Sequence, residues 1–136
     1  MVIWDRTLTE RTTRLTTRTE AALPIVLSIG HSADVSDELK FLAADHKVLS
    51  VGYNEATPSM IAAVGPAIVI SPLLSPTFDC IDMACILAEA GFRGKFRAVS
   101  RPIPNPRLIK REISEISKDL DFDILFTQSF ETVDHV

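Results

Sequence analysis

The chain has 136 residues, 46% of them hydrophobic and 24% charged, which fits one domain able to bury a core without disulfides. A net charge of −4 argues against a protein that grips nucleic acid by neutralising phosphates. No apolar run reaches the roughly 20 residues of a membrane span, and Met1–Arg6 lacks a basic stretch followed by an apolar one, so a cytoplasmic protein with no leader is expected.

Residues 1–23 stand apart as a Thr/Arg-rich arm. Seven threonines alternate with Arg6, Arg11, Arg14, Arg18, Glu10 and Glu20. Only Leu8 and Leu15, seven positions apart, supply apolar contact. Two readings stay open: a helical arm that pairs through those leucines, or a loosely ordered tail.

From Pro24 the pattern becomes regular. Ile25–Ile29 is apolar and rich in β-branched residues, ends at Gly30, and reads as a buried strand. A helix is expected over 34–45, capped by Asp34 or Ser36, with Val35, Leu39, Phe41 and Leu42 near helical spacing. Lys47–Val51 is a second strand, ended by Gly52. Thr57 and Pro58 open a short helix that runs to Val64. Ala67–Ile70 is a third strand, and two prolines four apart make Ser71–Pro76 a loop.

A helix over 79–90 turns Ile81, Ala84, Cys85 and Leu87 inward and stops at Gly91. Phe96–Ser100 is a fourth strand. Pro102, Pro104 and Pro106 then extend the connector, and Asn105 caps a helix to about Leu120 that buries Leu108, Ile109, Ile113 and Ile116. Asp121–Phe126 is a fifth strand. Five apolar strands alternating with four helices imply an α/β fold, a doubly wound five-stranded parallel sheet covered on both faces. Function in such sheets gathers beyond the carboxyl ends of the strands. Those ends are Gly30 and His31, Gly52–Asn54, Ser71–Asp79, Ser100–Asn105 and Thr127–Phe130.

Few residues there carry chemistry. His31 is placed to act near neutral pH but reads as a loop histidine. His46 and His135 read as surface residues. No histidine pair has metal-ligand spacing, and no metal or cofactor is expected. Ser71, Ser75, Thr77 and Ser100 bring hydroxyls to one edge without a nucleophile elbow, and read as partners of loop backbone. Asp79 and Asp82 read as helix-capping carboxylates. Cys80 and Cys85 read as reduced packing residues. Arg93, Lys95, Arg97, Arg101, Arg107, Lys110 and Arg111 form the most basic region, read as a solvated face from which Arg101 can meet an acidic partner. No glycine-rich phosphate loop is present.

The segment Ile68–Cys80 resembles the third strand and following loop of the receiver domains of two-component response regulators. In that family an aspartate is followed four residues later by proline and then by a turn containing aspartate. Pro76 and Asp79 match the later part. Gly91-Phe92-Arg93-Gly94 is similar to the family's approach to its fourth strand, and Leu125–Phe130 to the end of its fifth; the resemblance covers roughly residues 24–132. It implies a receiver or flavodoxin-like fold with degenerate site positions. The phosphoacceptor position falls on Pro72, the acidic Mg²⁺-binding pair on Gly30 and His31, and the conserved lysine on Gln128, while the hydroxyl residue survives as Ser100. Glycine and imidazole do not replace two carboxylates for Mg²⁺. Aspartyl phosphorylation is therefore not expected.

After the fifth strand, Glu131–Val136 has length for one helical turn at most, so a truncated version of the receiver's last helix is expected. The surface it would cover is expected to be open, and a homodimer to form over it. Arg101, Pro104, Phe130, Leu8 and Leu15 are the candidate interaction residues. The expected function is a non-enzymatic, phosphorylation-independent module that binds another protein, such as a histidine kinase or a second regulator. The alternative is a small-molecule-binding or enzymatic domain using the crevice at the strand ends.

Overall fold

The computed structural model describes residues 23–30 and 32–127. The arm residues Leu8 and Leu15, His31, and Gln128, Phe130 and the segment around them lie outside the described residues. Five strands, β1 (Ile25–Ile29), β2 (Lys47–Val51), β3 (Ile68–Pro72), β4 (Lys95–Ser100) and β5 (Asp121–Phe126), form one sheet in the order β2-β1-β3-β4-β5. Every pairing is parallel. This is the flavodoxin-like order, and it reverses between β1 and β3, where such sheets leave a crevice.

Strand alternation divides the core. Leu27, Ile29, Val69 and Phe96 point to one face, where α2 (Pro58–Val64), α3 (Cys80–Glu89) and α4 (Pro106–Ile116) supply Ile61, Met83, Leu87 and Ile113. Val26, Ile70 and Val99 point to the other, where α1 (Ala33–Leu42) supplies Val35 with Leu39 and Leu42. Where both faces are buried, as in the central strands β1 and β3, the sequence reads as a nearly continuous apolar run rather than an alternating one. No helix among the described residues is long and apolar enough to cross a membrane.

Several boundaries differ from the sequence reading, each for a local reason. The cap of α1 is Ser32, whose hydroxyl accepts from the Val35 N–H at 3.1 Å; Asp34 sits in the first turn instead. Val35, Leu39 and Leu42 already complete the inward stripe of α1, so Phe41 faces solvent and is 78% exposed. The helix stops at Leu42. His46 Nδ1 lies 3.1 Å from the Leu42 carbonyl oxygen and 2.7 Å from Asp45 Oδ1. Both are acceptors, so this nitrogen carries the proton, and His46 is a helix-end partner rather than a free surface residue.

In α3 the buried stripe begins at Cys80 and continues through Met83, Ala84 and Leu87 at helical spacing. That phase leaves Ile81 half-buried and Cys85 exposed, against expectation. Asp79 and Asp82 form a reciprocal capping box, with 2.9 and 3.0 Å bonds. α4 ends at Ile116, short of Leu120, because Ser117 is already extended. Its inward stripe is Ile109, Ile113 and Ile116; Leu108 lies about 100° away from Ile109 and is 52% exposed. Asn105 makes no side-chain cap bond.

Pro72 belongs to β3, not to the loop. Pairing with β1 ends at Ser28–Ile70, while pairing with β4 continues to Pro72–Val99 and is followed by the Leu73 N–H to Val99 oxygen bond at 2.8 Å. Successive N–H groups alternate sides, so the one proline lacks would point to β1, where the ladder has stopped.

Three of the seven cations of the basic region have acidic partners. Arg93, Arg97 and Lys110 face Asp119, Asp121 and Asp123 at 3.7, 3.4 and 3.0 Å. A bond from Lys110, then one from the Ile124 N–H, holds the Asp123 carboxyl below its ordinary value. Such a depressed group stabilises the fold above the ordinary carboxylate range, and that stabilisation is lost as pH falls through the depressed value. Both side chains are about half exposed, so solvent screening keeps the pair near 0.5 kcal/mol. Lys110→Gln should therefore lower the urea midpoint slightly at neutral pH and leave it unchanged in strong acid. An equal deficit at both pH values would show that the ion pair is not the cause.

Candidate functional site

The sheet brings Gly30, Pro72 and Ser100 to the carboxyl ends of β1, β3 and β4, three neighbouring strands. Three of the five expected positions thus share one edge; His31 and Gln128 lie outside the described residues. Arg101 and Pro104 follow Ser100 on that edge and are exposed.

Gly30 has a φ of +82°, in the region that favours glycine, and its N–H donates to the Val51 oxygen at 3.0 Å. A Cβ at this position would stand 2.9 Å from Phe78 Cζ and 3.5 Å from Pro72 Cδ. The ring of Phe78, only 6% exposed, therefore occupies the space directly against Gly30. Tyr53 stacks on it at 4.5 Å between centroids and 3° between planes. An aromatic pair thus packs at the point of strand reversal, and beside it Gly52, Tyr53, Asn54, Glu55 and Thr77 line a pocket of about 330 Å³.

The local sequence accounts for both rings. Ser75 Oγ donates to the Phe78 oxygen at 2.9 Å and accepts from the Phe78 N–H at 3.2 Å. The Cys80 N–H donates to the Leu73 oxygen at 2.9 Å, and Leu74 bridges Asp79 in antiparallel fashion. The β3–α3 loop is thus folded back on itself and delivers Phe78 to the strand ends. Glu55 Oε1 accepts from the Gly52 N–H at 2.9 Å and closes the 3-10 turn that holds Tyr53.

Ser71, Ser75 and Ser100 have hydroxyls engaged locally, whereas Thr127 Oγ1, just past β5, is buried with no hydrogen-bond partner among the described residues. Ser71 Oγ donates to the Pro72 oxygen at 3.0 Å and Ser100 Oγ to the Arg101 oxygen at 2.7 Å. Burial, then the neighbouring carboxylates Asp79, Glu112 and Asp82, push the Cys80 thiol up to about 12, where a reactive thiolate is scarce. Among the described residues no three His, Cys, Asp or Glu side chains are grouped to hold a metal.

A separate groove of about 350 Å³ opens between the start of α3 and the β4–α4 connector. Leu74, Ile81, Ile103 and Ile109 line it, with Pro104 at one side and the carboxylates Asp79 and Glu112. Leu74 is 70% exposed. Sequence reasoning found Pro104 but missed the groove, and it missed the Tyr53–Phe78 pair entirely. One signal was present: a lone glycine after β1, which marks a position where another group comes close.

No family model matches the chain, and neither the curated proteins nor the solved structures offer a match.

Proposed function

We propose that this chain is a receiver-like signalling module that binds another protein and does not depend on phosphorylation. One observation carries the reading: Phe78 fills the space against Gly30, at the place where the resemblance puts the receiver's Mg²⁺ and phosphoryl group. Pro72, which offers no nucleophilic oxygen, stands beside it on β3. The 2-1-3-4-5 strand order agrees with the receiver frame but is shared by many unrelated functions.

A receiver switches because a phosphoryl group interacts differently with two conformations. Here the residues that would create that difference are replaced and the space is occupied, so affinity for the partner stays constant with respect to phosphodonors. Output is delivered by contact, with a histidine kinase, a second regulator or another copy of the chain. A homodimer suits the sheet, whose second face carries only α1 among the described residues. A catalytic reading of the crevice lacks comparable support, since the Ser71 and Ser100 hydroxyls are already bonded to backbone.

The test is an amide NMR titration with Mg²⁺ and beryllofluoride, which mimics an aspartyl-phosphate. The expected result is no saturable shift at Gly30, Leu73 or Ser100. Saturable shifts at those residues would restore a phosphate switch and overturn the proposal.

A further inference from the structure

We infer that the outer edge of β5 is a self-pairing surface, made to join β5 of a second copy antiparallel about a dyad at Ile124, and that the Asp123 carboxylate is the latch that holds it shut. The inference uses neither Pro72 nor the space at Gly30, so it stands or falls apart from the receiver reading.

The edge comes first. The strand order places β5 at one end of the sheet. Its inward ladder is fixed by the Asp121 N–H, which donates to the Gly94 oxygen at 3.1 Å, and by the Thr127 N–H, which donates to the Ser100 oxygen at 2.8 Å. Successive amides alternate sides, so those of Phe122, Ile124 and Phe126 point outward, away from β4. Such a row is a template for another strand unless something blunts it.

The register is self-complementary. Set antiparallel with Ile124 opposite Ile124, two copies of β5 place Phe122 opposite Phe126 on both sides of the dyad. These are the residues with outward amides, so each of the opposed pairs can exchange hydrogen bonds. Their side chains share the face on which Ile124 enters the core and Phe122 packs on Phe96 at 5.3 Å between centroids. Phe126 is 41% exposed, and in this register its ring covers Phe122 of the second copy, an aromatic cross-strand pair. One strand thus supplies both halves of the interface, as a two-fold dimer requires.

The latch sits at the dyad. The Ile124 N–H, the central outward donor, is already taken by Asp123 Oδ1 at 2.8 Å. Lys110 Nζ holds the same oxygen at 3.0 Å. Pairing must break the first bond in both copies. It also sets the two Asp123 residues diagonally across the dyad, roughly 7–8 Å apart, where like charges repel. Removing this carboxylate lifts both obstacles. Asp121, two positions away, is the natural control, since its side chain lies against Arg97 at 3.4 Å and takes no outward amide.

The experiment uses the full chain. In the wild-type protein the Ile124 amide should exchange with deuterium more slowly than the Phe122 and Phe126 amides; equal rates would overturn the latch. Asp123→Ala should roughly double the sedimenting mass relative to wild type at the same concentration. In a mixture of isotope-labelled and unlabelled Asp123→Ala protein, the α-proton at position 123 should give an intermolecular contact with that of Leu125. Adding Phe126→Lys, at an exposed position, should return the mass to the wild-type value, and Asp121→Ala alone should leave it there. A wild-type mass for Asp123→Ala would overturn the proposal, and so would an equal rise for Asp121→Ala. Slowed exchange at Phe122 and Phe126 without a change of mass would give the edge to a segment of the same chain, and would overturn it too.

Discussion

Gly30→Ala is expected to destabilise the fold by about 3 kcal/mol, and Phe78→Ala by a similar amount, with the double variant losing clearly less than the sum. Two costs combine in the glycine variant. A side chain at a φ of +82° is strained by roughly 1–2 kcal/mol. The new methyl would also sit 2.9 Å from Phe78 Cζ, a separation that forces the ring to move. Overpacking of this kind costs roughly 1–3 kcal/mol more. The methyl would meet the ring at Cζ and Cε1, and Tyr53 lies flat against one face of the ring, which limits where it can move.

Phe78→Ala removes a buried ring and its stacking partner, and large-to-small changes of this type cost roughly 3–5 kcal/mol. In the double variant the methyl enters space the ring has left, so the clash disappears and only backbone strain remains. The coupling should be about 1–2 kcal/mol, within the range seen for residues in contact. Urea denaturation of the four proteins measures it. Strict additivity would mean that Phe78 does not occupy the space above Gly30 in solution, and its packing there would be lost as an argument about function.

The same pair shows where sequence reasoning reached its limit. Strands β1, β2 and β5 were legible to the residue, because each is a short apolar run ended by glycine or by a polar turn. The helix at Pro58–Val64 was legible because Thr57 and Pro58 are local signals that act on local backbone. Some failures were local, such as the Ser32 cap and the ends of α1 and α4; the others involve the phase of a helix or contact across the chain. Cys85 and Leu108 were misplaced since a run of apolar residues does not say which of two adjacent stripes wins; the facing helix decides. Pro72 was misread as a loop breaker, although a parallel strand tolerates proline where one neighbour's ladder has ended. Phe78 meets Gly30 across 48 positions and Tyr53 across 25, and no spacing rule links residues that far apart. The candidate site was therefore found as an edge of the sheet, but what fills it was not.

Pro72→Asp tests the proposed reading most directly, because the resemblance sets the phosphoacceptor at this position and receivers carry aspartate there. It is expected to cost about 3 kcal/mol or more at neutral pH and to confer no response to beryllofluoride. Pro72 is buried, with its ring against Gly30 and the Phe78 side chain close by. A carboxylate there loses its hydration, and neither Gly30 nor Phe78 beside it offers it a cation. The cost falls on the charged form, so burial raises the new group's folded pKa above its ordinary value of about 3.9. A group raised in this way retains its full relative stability below the ordinary value and loses it as pH climbs through the raised one. The deficit against wild type should therefore be small near pH 4 and grow toward neutrality. Pro72→Asn has nearly the same shape and no charge, and its deficit should not change over that interval. Urea midpoints of the three proteins at both pH values separate the charge effect from loss of the proline ring. If Pro72→Asp instead matched the pH profile of Pro72→Asn and showed saturable shifts with Mg²⁺ and beryllofluoride, the aromatic pair would have to open readily, and the crevice would be a metal site needing only its nucleophile.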